Sequence, residues 1–272
     1  MTARIPSGGS RQVGVGRTRL PFAAFYAVMV ALLYLPIGIL FLFSFSSGTS
    51  LRFPIQGLTL DWYAAVLDNG AMIEAARNSF VVATASATIA TALGSLVAVA
   101  ILRFRFPGRS ALLALAGLPL VVPFVVMGVA FFLLFVTLDL PRSLLTVTVG
   151  HSVCSIPFAT LIVLARLGGL DPALEDASMD LGATYPSTLR RVILPLIGPT
   201  LLSAWLTAFI VSFDEVALAI LLVGGDPTFP VFLYGQLRFA QRLPVLLAMA
   251  VLLMIGTVLL TIVALRLRSK SE

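Results

Sequence analysis

Two adjacent carboxylates, Asp214 and Glu215, stand in an apolar stretch, Leu196–Leu222, that is otherwise free of charge. Ionisable groups at membrane depth are expensive and face a bundle interior or a water-filled cavity. One reading of the pair is a cation-attracting surface along a path. The other is a carboxylate that caps backbone groups or pairs with an arginine of a partner subunit, and both stay open here. In a continuous helix neighbours point about 100° apart, so only one of the two can aim into a given cavity. At a rise of 1.5 Å per residue, Asp214 lies about 20 Å beyond Pro199, in the outer half of a core about 30 Å thick. His151 and Cys154 are the other residue types that could do chemistry, and each is the single representative of its kind. One histidine and one cysteine do not make a zinc site, which needs clustered ligands, and a lone cysteine forms no intrachain disulfide. A serine hydrolase would use His151 as base, but no Gly-x-Ser-x-Gly turn accompanies it. Both are read as helix-packing residues. The chain has one lysine, Lys270, and no glycine-rich turn closing in Lys-Ser or Lys-Thr, so it carries no phosphate-cradling loop of its own.

The elements that must position these residues are membrane spans. Hydrophobic residues make up 59% of the chain and charged ones 11%, the composition of an integral membrane protein. Spanning the bilayer takes about 20 apolar residues, and six segments qualify: Leu20–Phe45, Ser79–Leu102, Ala111–Leu138, Leu144–Leu164, Leu196–Leu222 and Leu243–Leu265. The first follows a basic stretch (Arg4, Arg11, Arg17, Arg19) but is 26 residues long without charge. A signal-peptide core runs about 7–15 residues, so this is read as an uncleaved span. With the N-terminus in the cytoplasm, the inner segments carry 13 of the 18 Lys and Arg and the outer loops only Arg52, Arg77, Arg142, Arg238 and Arg242. Positive residues mark the cytoplasmic side, which places both ends inside. The same distribution, at span ends and not on one face, argues against nucleic acid as the reason for a pI near 10.2. The expected organisation is a cytoplasmic tail at 1–19, a membrane domain at 20–266 and a short cytoplasmic tail at 267–272.

Other segments carry local signals. Leu60–Leu67 is a short amphipathic piece whose Trp62 and Tyr63 suit the membrane interface. Gly224–Pro244 is too polar to span and predicts a short helix or re-entrant turn. Pro119 and Pro123 interrupt the third span and predict a kink. A polar island, 167–199, separates the fourth and fifth spans. Within it Asp171-Pro172 predicts a helix start. Leu174, Ala177, Ser178 and Leu181 then share one face, and Gly182 ends the helix. Thr184 caps a second helix, with Arg190 and Arg191 in its last turn and Leu194-Pro195 as its stop.

This island resembles the coupling loop of ABC importer permeases, whose pattern is Glu-Ala-Ala, three residues, Gly, nine residues, then Ile-x-Leu-Pro. Here the triplet is Asp176-Ala177-Ser178, the glycine Gly182 and the closing tetrad Val192-Ile193-Leu194-Pro195. The spacing matches on both sides of the glycine, and the triplet departs by Asp for Glu and Ser for Ala. Ser212-Phe213-Asp214-Glu215-Val216, Arg103-Phe104-Arg105-Phe106-Pro107-Gly108 and Tyr34-Leu35-Pro36 are similar to the C-type permeases of spermidine/putrescine importers. The resemblance implies an all-α integral membrane protein with six transmembrane helices in the type I importer permease (MetI-like) fold. It implies ATPase coupling through Asp176, Ala177, Ser178, Gly182, Leu194 and Pro195, and a substrate path touching Asp214 and Glu215. It implies as partners two ATP-binding subunits that hold ATP and Mg²⁺, a second permease subunit, a periplasmic substrate-binding protein and the lipid bilayer. The chain itself would carry no cofactor and no catalytic activity, and it would reside in the bacterial inner membrane. Within this class the cargo alternatives are iron(III), a sulfate-like anion, a phosphonate or an opine. Outside it stand a proton-coupled secondary transporter and a membrane enzyme.

Overall fold

Small residues decide how the central helices meet. On the long helix α3 (Gly70–Arg103) a stripe of Ala83, Ala87, Ala90, Gly94 and Ala98 recurs every three or four residues, and all five are buried. The stripe lets α6 (Leu144–Gly168) and α9 (Leu194–Asp214) approach closely, and these three helices share the largest contacts in the molecule. Lipid tails are as apolar as leucine, so helix association in a bilayer rests on such close packing. A Cβ on Gly94 would lie 2.9 Å from Ala159 Cβ, 2.9 Å from Thr160 N and 3.0 Å from Ile156 O. Two of those atoms are backbone and do not yield without separating α3 from α6. Gly94→Val is therefore expected to destabilise the protein by about 1–3 kcal/mol. The check is the thermal midpoint of the purified protein, against Gly38→Ala, where an added Cβ meets nothing within 4 Å.

The computed structural model describes residues 19–269; the expected tail up to residue 18, and residues 270–272 with Lys270, lie outside the described residues. The remaining helices are α1 (Arg19–Ser44), α2 (Asp61–Leu67), α4 (Arg109–Gly117), α5 (Phe124–Thr137), α7 (Ala173–Asp180), α8 (Tyr185–Thr188), α10 (Ala219–Leu222), α11 (Phe229–Gln236) and α12 (Leu243–Ser269). Among the described residues, five helices are long and apolar enough to cross a membrane, or six if the bent pair α4–α5 is one span. The fold is all-helical and multi-pass. α1 packs on α12 at the edge of the bundle, and its largely exposed apolar surface suits lipid.

Several boundaries differ from the sequence expectation, each for a local reason. The second span begins at Gly70, not Ser79, because Asn69 accepts a hydrogen bond from Met72 N and starts the helix on its polar N-terminal extension. The segment expected as the third span is broken, not kinked: α4 and α5 meet at 107°. A short 3₁₀ turn at Leu118–Leu120 holds Pro119, and Pro123 stands before α5 with ψ 138°. Two prolines remove two backbone donors; Leu118, before Pro119, stays helical, and the break falls at Pro123, whose own ψ leaves helical backbone. The expected C-terminal tail at 267–272 is helical as far as Ser269.

The loop between α1 and α2 is pinned by the aromatic residues Trp62 and Tyr63. Trp62 Nε1 donates to Ser46 O at 2.7 Å, and the Tyr63 hydroxyl lies 2.7 Å from Ser44 Oγ. The short helix expected between Gly224 and Pro244 is α11. Its first N–H, at Phe229, donates to Ser79 Oγ at 2.8 Å, and Asn78 Nδ2 donates to Pro227 O at 3.2 Å. The loop that leads into α11 is thus tied to α3.

Candidate functional site

The polar island folds as a two-helix knob. Asp171 Oδ1 accepts from Ala173 N at 3.0 Å and opens α7, as its Asp-Pro sequence predicts. Gly182 ends the helix with φ +86°. Its N–H donates to Met179 O at 2.8 Å and Ala183 N–H donates to Ser178 O at 3.2 Å. This paired closure satisfies two carbonyls of the last turn and requires a left-handed residue between them. Ser178 Oγ and Thr188 Oγ1 lie 2.9 Å apart and tie α7 to α8.

In the isolated chain Asp176 and Ala177 are exposed and Ser178 half-buried, beside exposed Leu174 and Leu181. An outward apolar surface on a polar knob is a docking surface in character.

The second helix of the knob does not stop at Leu194-Pro195. α8 passes through a π turn at Leu189–Ile193 into α9 without a break, so Arg190 and Arg191 lie in a continuing helix and not in a last turn. The reason is the proline itself. In regular α register the Pro195 ring would meet the carbonyl four residues back. The wider turn, in which Leu194 N–H reaches Leu189 O, absorbs that clash. The second half of the knob therefore runs into the fifth span as one continuous helix, Tyr185–Asp214.

Asp214 and Glu215 are not mid-helix residues. α9 ends at Asp214, and Glu215 is extended with ψ 126°. The Glu215 carboxylate turns back and accepts from Leu218 N at 2.8 Å and Ala219 N at 2.9 Å, the free donors at the start of α10. A carboxylate offered to backbone donors competes with helix continuation, so the expected span to Leu222 is interrupted here. His151 Nδ1 lies 2.8 Å from Ser212 Oγ. Its Nε2 is 3.3 Å from Glu215 Oε2, within ion-pair range but not aligned as a hydrogen bond. His151, Ser212 and Glu215 are all buried. Asp214, in contrast, is exposed in the isolated chain. It borders a cavity of about 320 Å³ lined by Phe213, Phe229, Leu253, Met254 and Thr257 among α9, α11 and α12. Glu215 thus holds the chain break and Asp214 faces open space.

Sequence reasoning missed two participants. Glu175, one residue before the expected triplet, is buried at 7% exposure and pairs with Arg103. Its one visible signal was an acidic residue in the first turn of α7, where the helix dipole favours it. His151 reads from the sequence as a packing residue, because nothing local signals its contacts to Ser212 and Glu215 across more than 60 positions.

The described residues thus form a multi-pass bundle of apolar helices with a polar two-helix knob set between α6 and α9. Residues 90–270 match the family described as "binding-protein-dependent transport system inner membrane component", and the chain belongs to that family, the permeases of ABC importers. It is 32% identical over 247 residues to the spermidine/putrescine transport system permease protein PotC of Escherichia coli (strain K12), covering 90% of this chain and 92% of that one. To the putrescine transport system permease protein PotI of the same strain it is 32% identical over 248 residues, 88% of each chain. A probable molybdenum ABC transporter permease protein of Haloferax volcanii is 32% identical over 176 residues, 62% of this chain and 65% of that one. Among solved structures, a bacterial ABC transporter for import of the acidic polysaccharide alginate superposes with a TM-score of 0.73. It shows 18% identity and covers 93% of this chain and 96% of that one. The MetNI methionine ABC transporter superposes with a TM-score of 0.62 at 19% identity, covering 79% of this chain and all of the other. At these identities the likeness shows the fold.

Proposed function

We propose that this chain is the membrane-spanning subunit of an ATP-driven polyamine importer in the bacterial inner membrane, with both termini in the cytoplasm. The observation that carries the reading is the 32% identity over 90% of the chain to a spermidine/putrescine permease. The molybdenum relative supports an anion less well, because it covers only 62% of the chain. An outward-facing carboxylate, Asp214, also favours a cationic cargo, whose ammonium groups lose less on leaving water beside a negative charge.

In this reading a second permease subunit completes the path, and a periplasmic binding protein delivers the polyamine to the outer face. Two ATP-binding subunits, which hold ATP and Mg²⁺, grip the knob through Asp176, Ala177 and Ser178 and the apolar residues beside them. Their closure on ATP displaces the knob. The Gly182 turn preserves the angle between α7 and α8, and the unbroken run through Leu194 and Pro195 carries the displacement into α9. Movement of packed helices as rigid bodies then alternates access between the two sides.

The test is uptake of radiolabelled spermidine and putrescine by proteoliposomes holding the whole complex and its binding protein, with iron(III), sulfate and molybdate as competitors. Uptake is expected to require ATP and the binding protein and to be displaced by polyamines alone. Displacement by molybdate or iron(III) would overturn the polyamine assignment. Uptake that survives ATP depletion and collapses with the proton gradient would overturn the importer reading itself.

A further inference from the structure

Arg103 sits where three helix ends converge. It is the last residue of α3, and its Nε donates to Glu175 Oε1 at 2.7 Å, with Nη2 2.6 Å from the same oxygen. Nη2 also donates to Leu167 O, near the end of α6, at 3.3 Å. The cation therefore lies at the C-terminal ends of α3 and α6, and its anionic partner in the first turn of α7, which is where each helix dipole favours that charge. Both side chains are largely shielded, at 19% and 9% exposure. Beside them Phe104 meets Tyr185 of α8 edge-on, with ring centroids 5.5 Å apart.

The consequence is mechanical. The knob is covalently continuous with α6 and α9, but α3 reaches it only through side chains, and Glu175 lies 72 residues from Arg103. A surface ion pair holds little. A shielded contact in which two guanidinium nitrogens meet one carboxylate oxygen, while Nη2 also donates to Leu167 O, fixes orientation as well as distance. We infer that the Arg103–Glu175 pair is the strut that makes α3, the helix most engaged in the core, move with the coupling knob. Both are positioning residues, acting through α3 and touching no substrate. The inference rests on the importer reading, since it supposes an ATPase partner on the knob.

The experiment uses the whole complex with its ATP-binding subunits and binding protein, and compares Arg103→Gln, Glu175→Gln, the double variant and Arg103→Lys. The readout is the factor by which the binding protein stimulates ATP hydrolysis, which needs no knowledge of the cargo, together with spermidine uptake. Each Gln variant is expected to keep basal hydrolysis and copurified ATPase, while stimulation falls about tenfold, the scale of coupling between residues in one hydrogen-bonded network. The double variant is expected to be no worse than either single one. Arg103→Lys keeps the charge but not the second nitrogen, and a smaller fall is expected. Unchanged stimulation would overturn the strut. So would loss of assembled complex in all variants, or effects that multiply in the double variant, because those outcomes make the pair an element of folding or two independent contacts. A wild-type complex whose transport ignores ATP would fail the importer reading instead, and that control comes first.

Discussion

Gly182→Val is expected to leave the complex in the membrane and remove most of its transport. Gly182 has φ +86°, and an added Cβ there meets nothing within 4 Å. The added Cβ thus collides with nothing in the chain, and the effect expected here comes from the backbone. A side chain in the left-handed region costs roughly 1–2 kcal/mol, and a β-branched one more. That is about a tenfold loss of the native turn for each 1.4 kcal/mol. The chain is expected to relieve the strain by opening the elbow, which turns α7 away from α8 and misaligns the surface proposed to dock the ATPase. Uptake should fall at least about tenfold, with normal membrane abundance and continued ATP hydrolysis. Gly182→Asn should be milder and Gly182→Ala intermediate, since Asn tolerates left-handed backbone better. Asp176→Ala should be milder still, because Asp176 is exposed in the isolated chain and holds no turn together. Uptake and abundance measured across this series check the order. Wild-type uptake in the Val variant at equal expression would end the elbow's role in coupling.

Neutralising the two carboxylates should separate function from folding. Asp214→Asn removes a charge that borders a cavity and is exposed in the isolated chain. Uptake per complex is expected to fall about fivefold, the equivalent of roughly 1 kcal/mol for a partly solvated charge pair, at unchanged complex yield. Glu215→Gln acts elsewhere. Its carboxylate accepts from Leu218 N and Ala219 N and stands beside His151, and an amide can supply only one acceptor oxygen. Losing a hydrogen bond to a charged group costs about 1.5–3 kcal/mol, so reduced complex yield is expected, with uptake per surviving complex less affected. Polyamine uptake and complex yield, measured together in both single variants and the double one, check this. Unchanged uptake per complex in the double variant would sink the cation path and leave the family assignment standing.

Much of this architecture is legible in the order of the residues alone. The number of spans is a local property, because about 20 apolar residues in a row carry their own signature. The turn at Gly182 is legible for the same reason. A helix start at Asp171-Pro172, a glycine eleven residues on and short apolar spacing between them need no distant partner. The alanine stripe on α3 is present as a periodicity, although periodicity alone does not say which helices it meets. What lies beyond the sequence is every feature decided by a helix arriving from elsewhere. Burial of Glu175 in place of Asp176 depends on Arg103, and the end of α9 at Asp214 depends on a carboxylate finding the donors of α10 with His151 beside it. Pro195 reads as a helix stop until a π turn preceding it is seen to absorb the clash. Local sequence sets propensity and polarity over a few turns. Which polar group is buried, which helix breaks and which carboxylate is left facing open space are fixed by packing, because only the assembled bundle determines where water is excluded and which donors remain free.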